Sequence, residues 1–524
     1  MLFFTLLILF SYCSGANILL MFPLSPMSHV NAFAPLFKKL SENGHNLTMV
    51  SSFQHNAPLK NCSYITIKNN INEIFGDIYF YIIPERDIFK EISKYSQPLT
   101  MHPYLRRKVR NLTETCLKEN CLRELMEGNY EFDLMISESL YLFETFIAFG
   151  HIFNIPVISI DAHAPSAWSS YLTGNVHPYS YVPNYRLALT DRMTFKERLM
   201  NTLLNLQEML VNYYLIPEQE RLIRTYLSYN GTYDFPPLLD MLRNISLVLA
   251  DAHFSLGYVR PYLPNVVEVG GMTSHTGGNK LNEELQNLLD ESENGLIYFT
   301  TGSIINLNYL PKEMTDTFMS VFGQLKQTVI MKWESGELPN KPKNVITKKW
   351  LPQNGILAHP NCRLFITHGG VHSLTEAIYH KVPLVVIPFF SDQFYNALMA
   401  EKQGFAKVLN YENFTNETLM SAINSVINNA EFKKNIERRS LILQDKDQSS
   451  LKKAVYWVEY VLRHKGAKHL RPASLDLNIF QYFLLDMIAL IILFILGCFS
   501  LVVLFLYLII KFVKRFIRSK QKRD

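Results

Sequence analysis

Short apolar runs alternate along most of the chain with stretches whose apolar positions recur every three to four residues. Runs of four to six apolar residues bounded by turn formers read as strands buried on both faces. The stretches between them read as covering helices, and the alternation predicts α/β architecture with parallel sheets. A first series comprises strands at 17–22, 46–51, 134–137, 156–160 and 246–249. Between the first two lie a Pro/Ser/His loop at 23–29 and a helix near 32–43 that Gly44 stops. Around 259–271 the text turns to Pro, Gly and Asn, which marks an interdomain connection. A second series follows at 295–301, 329–333, 345–348, 363–367 and 384–388, and then a charged helical stretch at 431–466. Two Rossmann-like domains are therefore expected, 16–258 and 272–486. They should face each other across a cleft, with ligands at the carboxyl ends of the strands.

Two apolar stretches do not fit this alternation. Residues 2–10, followed by the small residues Cys13, Ser14 and Gly15, read as a secretory signal peptide over 1–15. The lack of Lys or Arg before the run leaves an uncleaved anchor as the alternative. Residues 487–510 carry no charge and as a helix would span ~36 Å, enough for a hydrocarbon core of ~30 Å. The following tail, 511–524, holds seven Lys and Arg against Asp524 alone, so of the net charge of +5 the first 510 residues carry −1. The basicity thus belongs to a tail that the positive-inside rule assigns to the cytosol, and nucleic-acid binding loses its compositional support. The body then faces a lumen or the outside. Seven Asn-x-Ser/Thr sequons agree, at Asn46, Asn61, Asn111, Asn230, Asn244, Asn413 and Asn416. Lys520 and Lys522, fifth and third from the end, resemble an endoplasmic-reticulum retrieval signal. Cys62, Cys116, Cys121 and Cys362 are too few and too scattered for a disulfide framework. Cys116 and Cys121 are expected on one helix, pointing to different faces.

The densest chemical signal lies in residues 350–393. Trp350-Leu-Pro-Gln353 is followed, after a strand, by His368-Gly-Gly370, Val-His-Ser373-Leu-Thr-Glu376, and later Asp392-Gln393. A strand that breaks into His-Gly-Gly and then a helix presents free backbone N–H groups, and glycines let a diphosphate approach closely. Glu376, about two turns into that helix, can accept from a ribose diol, and Trp350 offers a face to a base. Two other patterns carry less. His368 and His372 have a spacing compatible with zinc but lack a third ligand and an intervening Glu. Asp445-Lys446-Asp447 sits in a charged helical connection and reads as a solvated face.

This run is similar to the signature of the UDP-glycosyltransferases, the family that includes the animal UDP-glucuronosyltransferases. The resemblance extends over nearly the whole chain, through residues 21–29, 293–295, 463–470 and the carboxyl-terminal anchor, and its wording is most like the invertebrate branch. It implies a GT-B-like fold with an amino-terminal acceptor domain and a carboxyl-terminal donor domain. Trp350 would stack on uracil and Gln353 would bond uracil or ribose. His368 and the backbone near Gly370 and Ser373 would hold the diphosphate, with Thr300 and Ser303 nearby. Glu376 would hold the ribose, and Asp392 and Gln393 the sugar hydroxyls. UDP-sugar is a co-substrate; no cofactor and no metal are expected.

The resemblance also places a catalytic base at His29, in Ser25-Pro-Met-Ser-His29. Its usual partner is an Asp; here Phe132-Asp133-Leu-Met-Ile-Ser-Glu138 puts Glu138 there, one methylene longer. Asp133 is the alternative. The expected reaction is a single displacement with inversion onto a hydroxyl of a small lipophilic acceptor. The acceptor region would draw on the aromatic-rich stretches 75–89 and 141–153, which read equally well as core. By alignment, glucuronosyl members carry Arg where this chain has Asp251, and the Asn common in vertebrate relatives is His372. A carboxylate there disfavours glucuronate, so glucose is the expected sugar, with glucuronate as runner-up. A non-catalytic binder of nucleotide or lipophile is the alternative of another class. Expected partners are donor, acceptor and a single-pass endoplasmic-reticulum membrane with the body lumenal; a homo-oligomer is left open.

Overall fold

The computed structural model describes residues 15–53, 58–68, 93–228, 234–275, 281–303, 305, 307, 310–333, 336, 338–410 and 413–521, with the side chains of 93–101 excepted. The signal peptide up to Ser14, the aromatic stretch 75–89, the sequon at Asn230 and residues 522–524 lie outside these.

All strands pair in parallel, in two sheets. The first contains β1 (Asn17–Phe22), β2 (Asn46–Ser51), β3 (Cys62–Thr66), β4 (Leu134–Ser137), β5 (Val157–Asp161), β6 (Leu247–Ala250) and β7 (Val266–Glu268), in the order β3-β2-β1-β4-β5-β6-β7. The second contains β8 (Leu296–Thr300), β9 (Thr328–Lys332), β10 (Val345–Lys348), β11 (Cys362–Thr367), β12 (Leu384–Val386) and β13 (Ala406–Val408), in the order β10-β9-β8-β11-β12-β13. Every residue of β4, β5, β6 and β8 is buried, as expected of strands covered on both faces. Each order reverses once, between β1 and β4 in the first sheet and between β8 and β11 in the second. Side chains at the carboxyl ends of those pairs open into a crevice that the crossovers leave uncovered.

Three strands escape the pattern. β3 is half-exposed at a sheet edge, and β7 and β13 are three residues each. β7 falls inside 259–271, so the expected connection in fact begins as the last strand of the first sheet, with Ala250 opposite Glu268. The helix expected near 32–43 begins at Met27, because Pro26, with φ −57°, sets the entry angle and needs no N–H partner. His29 is therefore in the first helical turn, where its N–H bonds Pro26 O at 3.0 Å, and not in a loop. Cys116 and Cys121 belong to two successive helices, Ser93–Leu117 and Asn120–Glu127, and both are free thiols.

The charged stretch 431–466 is two helices, Ala430–Gln444 and Ser450–Arg463. The first packs on the second domain, where Ile436 and Leu443 join the core of β8, β11 and β12. The second crosses back. Its Ala454, Val455, Val458 and Val461 are buried with Ile18, Leu20, Leu36 and Leu40 of the first domain. Ser450 Oγ and Lys446 Nζ both donate to Gly270 O, at 2.7 and 3.1 Å, and Asn43 Nδ2 donates to Glu459 Oε1 at 2.9 Å. The range 272–486 is thus not one domain: its helix 450–463 belongs to the core of the other. Burying four aliphatic side chains there contributes on the order of 5–10 kcal/mol of apolar transfer energy.

Residues 472–524 form a separate unit. Its helix Leu485–Lys520 has an 18-residue window of mean hydropathy 3.2 and is the one helix among the described residues long and apolar enough to cross a membrane. It continues through Lys511–Lys520, so the first part of the basic tail extends the span as helix.

Candidate active site

The strand ends deliver the site. β1 leads into the helix Met27–Glu42, which carries His29, and β4 ends directly before Glu138. His29 Nδ1 lies 2.7 Å from Glu138 Oε1. The Glu138 side chain is 1% exposed and that of His29 17%, so the carboxylate sits behind the ring and the ring faces the cleft. The extra methylene of Glu138 therefore spans the gap, with its Oε2 buried and unpartnered. Asp133, the alternative, is at the opposite end of β4, where its Oδ2 accepts from Asn17 N at 2.8 Å. A carboxylate acceptor fixes the proton on Nδ1 and leaves Nε2 as the basic nitrogen.

Across the cleft, β8 ends at Thr300 and β11 at Thr367, register partners at the second reversal. The turn after β8 needs glycine at 302: φ is +83°, and a Cβ would come within 2.5 Å of the His368 ring. Gly370 likewise has no room for a Cβ, which would lie 2.6 Å from His368 Nε2. His368 is thus clasped between two glycines. Burial, then the charges of His372 and Lys332, lower its pKa to about 4, so it is neutral at physiological pH. The helix Val371–His380 follows. Glu376 Oε2 accepts from Gln353 Nε2 at 2.7 Å, and the same amide reaches Ser373 Oγ at 3.3 Å. Burial raises the Glu376 pKa, against the opposing pull of the Gln353 hydrogen bond and of His372. Trp350 is 63% exposed, with Lys332 Nζ 5.7 Å from its ring centre. Asp392 Oδ2 accepts from Asn396 Nδ2 at 2.7 Å. Gln393 Oε1 accepts from Phe389 N and Phe390 N at 2.9 and 3.2 Å, which leaves only its amide N–H groups for a ligand.

Eleven of the twelve expected site residues line one cavity of about 860 Å³: His29, Thr300, Ser303, Trp350, Gln353, His368, Gly370, Ser373, Glu376, Asp392 and Gln393. Glu138 stands behind His29. Of the aromatic stretch 141–153, Tyr141, Leu142 and Phe143 reach the cavity, while Phe146 and Phe149 are core.

Two residues, His163 and Asp161, and one contact, between Asp251 and His372, were not foreseen as parts of the site. His163, after β5, lines the cavity between Tyr141 and Tyr185, with ring centroids 5.0 and 5.4 Å away. Asp161, the last residue of β5, is fully buried. Burial and then the charge of Glu138 hold its pKa well above the usual carboxylate range. Asp251 Oδ2 meets His372 Nδ1 at 2.8 Å, joining the end of β6 to the second domain. Asp161, Asp251 and Glu138 all stand at or directly after the end of a fully buried strand, and that shared position is the signal through which the sequence could have grouped them.

Two reversed parallel sheets facing across a crevice, one offering a histidine–carboxylate pair and the other a glycine-rich helix start, define a GT-B glycosyltransferase. Similar solved structures agree on the fold. The calicheamicin glycosyltransferase CalG4 superposes with a TM-score of 0.53 at 17% identity, over 86% of this chain and 98% of that one. The glycosyltransferase of kitacinnamycin gives 0.53 at 15% identity, over 85% and 99%. Residues 17–524 match the family model described as UDP-glucoronosyl and UDP-glucosyl transferase. The UDP-glycosyltransferase UGT5 of Dactylopius coccus is 34% identical over 99% of this chain and 96% of its own length. The UDP-glucuronosyltransferase 1A6 of Mus musculus is 31% identical over 88% and 86%. The chain belongs to the UDP-glycosyltransferase family and is a transferase that uses a UDP-sugar donor.

Proposed function

We propose that this enzyme transfers glucose from UDP-glucose to a hydroxyl group of a small lipophilic acceptor, with inversion at the anomeric carbon and His29 as the base. The observation that carries this is the His29–Glu138 pair at 2.7 Å, placed on the same cavity as the donor residues. The acceptor proton passes to His29 Nε2, Glu138 stabilises the imidazolium, and the acceptor oxygen attacks in line as the UDP oxygen departs. Trp350, Gln353, Ser373 and Glu376 would take the uridine; His368 with Gly370, Thr300 and Ser303 would take the diphosphate; Asp392 and Gln393 would take the sugar. The choice of glucose is supported by the absence of arginine among the described residues that line the cavity, since a glucuronate carboxylate is best met by a bidentate guanidinium. Asp251 is less of an obstacle to glucuronate than a free carboxylate would be, because His372 and Gly271 N occupy it. Asp251 raises the His372 pKa, and an imidazolium there would favour UDP-glucuronate as the second reading. Tyr141, Leu142 and Phe143 supply an apolar wall for the acceptor. The helix Leu485–Lys520 would anchor the body on the lumenal side of the endoplasmic reticulum, with the basic end in the cytosol.

The test compares UDP-glucose with UDP-glucuronate on a panel of phenols and steroids, beside His29→Ala. Faster turnover with glucuronate overturns the sugar assignment. Unchanged turnover in His29→Ala overturns the mechanism, and uridine-nucleotide binding without turnover makes the chain a binder.

A further inference from the structure

The cleft contains a second histidine–carboxylate pair, to which the proposed reaction gives no catalytic role. Asp251, directly after β6, and His372, the second residue of the helix Val371–His380, come from different domains and meet at 2.8 Å. The Asp251 side chain is 7% exposed, and its other oxygen accepts from Gly271 N at 3.1 Å, so both oxygens are committed. His372 lines the large cavity, beside His29, with ring centroids 6.3 Å apart. Its Nε2 forms no hydrogen bond with any described residue.

The carboxylate dictates the state of the ring. An ionised Asp251 only accepts, so Nδ1 must carry a hydrogen. Nε2 then decides the chemistry: neutral His372 presents a lone pair there, which repels a phosphate oxygen, whereas the imidazolium presents a second N–H. The groups facing the ring are Asp251, Glu376 and Asp392 on the acidic side and His368 and His29 on the other. Burial draws the His372 pKa down. The hydrogen bond and charge of Asp251, with the charges of Glu376 and Asp392, outweigh it, and the net shift is upward. His368, in the turn before the helix, is neutral at physiological pH and shares no charge with it.

We propose that His372 is a second catalytic residue, whose Nε2–H donates to the diphosphate as it departs, and that Asp251 positions and charges it from the opposite domain. The step balances without a further reagent. The bond from the acceptor oxygen to the anomeric carbon forms while the bond to the diphosphate oxygen breaks, and the electron pair leaves with UDP. The acceptor proton goes to His29, and His372 keeps its own proton throughout. A donor of fixed charge, aimed where negative charge develops, acts on the transition state more than on the bound donor, so it belongs to kcat rather than to KM.

The inference rests on the transfer reaction proposed above. Its test uses the full-length chain in detergent, with 4-nitrophenol as acceptor and whichever of UDP-glucose and UDP-glucuronate the wild type turns over faster. His372→Ala is expected to lower kcat by about 100-fold and change the donor KM by less than about threefold. The wild-type rate should fall at alkaline pH as His372 loses its proton. Asp251→Asn should move that fall to lower pH, and His372→Gln, with a permanent neutral N–H, should abolish it. UDP-sugar affinity by calorimetry shows that each variant is folded. A kcat for His372→Ala within threefold of wild type overturns the inference, as does an alkaline limb that Asp251→Asn leaves in place. An effect confined to the KM for UDP-glucuronate overturns it in favour of a carboxylate contact. Loss of turnover in His29→Ala alone would leave the proposed function standing without it. A wild type that turns over neither donor removes both.

Discussion

Gln353 donates to Glu376 across 2.7 Å, so the amide proposed for the uracil and the carboxylate proposed for the ribose satisfy each other. A ribose diol would replace an existing charge-assisted bond rather than meet a bare carboxylate. Glu376→Ala should therefore weaken UDP binding by about 10- to 100-fold, or ~1.5–3 kcal/mol, while Gln353→Ala, which frees Glu376 as it removes a contact, should cost less. Calorimetric titration with UDP ranks the two; the reverse order would mean that Glu376 does not hold the ribose.

The distance at the base makes the length of its partner testable. Glu138 already bonds His29 at 2.7 Å, so shortening it should open the gap rather than restore a better geometry. Glu138→Asp is expected to lower kcat by about tenfold or more, and Glu138→Gln by ~10²–10⁴, with donor KM little changed. A more active Glu138→Asp would show that the chain tolerates its glutamate rather than uses it.

Asp161 should behave oppositely to Glu138. Burial and the neighbouring negative charge both favour its protonated form, whose isosteric amide would remove no charge. Asp161→Asn should retain melting temperature and kcat within a few-fold, whereas Asp161→Ala should lower stability by leaving a buried void. A large loss of activity in Asp161→Asn would indicate that the carboxyl ionises during turnover.

Histidines whose pKa burial lowers, among them His177, His253 and His368, set an acid limit on stability. His177 is lowered to about 3, and His253 and His368 to about 4, chiefly by burial. Each binds fewer protons folded than unfolded. The stability they allow is complete above the ordinary histidine value of 6.5 and is lost as pH falls from there toward 4. Thermal denaturation followed between pH 7.5 and 4.5 (about that range) should show a falling Tm, and His177→Gln should flatten the curve. An unchanged slope in that variant would remove His177 from the account.

Gly302→Ala tests the clasp on His368. The added carbon would lie 2.5 Å from the ring at a φ of +83°, so either the turn or the imidazole must move. UDP affinity should fall more than the melting temperature; a variant with wild-type affinity would mean that His368 need not be held there.

Most of this arrangement could be read before any coordinates. Runs dominated by apolar residues, such as 17–22 and 134–137, have one stable solution, a strand covered on both faces, and those strands appear where expected. That Trp350, Gln353, His368, Gly370, Ser373, Glu376, Asp392 and Gln393 share one cavity was legible because they lie in one 44-residue stretch whose order constrains them together. β7 was not, since three residues at a sheet edge bury too little to leave a periodicity. The Asp251–His372 bond was not, because its partners are 121 positions apart and each reads singly as a strand or helix cap. The length of Glu138 was visible but its reach was not: whether an extra methylene spans a gap depends on a backbone spacing that no local pattern encodes.

The helix Ser450–Arg463 decides how this enzyme can be divided. A fragment cut at the connection before β8 would carry the residues proposed for the uridine yet bear a helix whose Ala454, Val455, Val458 and Val461 have lost their partners. The other fragment would expose the surface those residues cover, including Leu36 and Leu40. Neither piece is a self-sufficient module, so a donor half borrowed by another acceptor half must bring a matching strap or receive one from its new host.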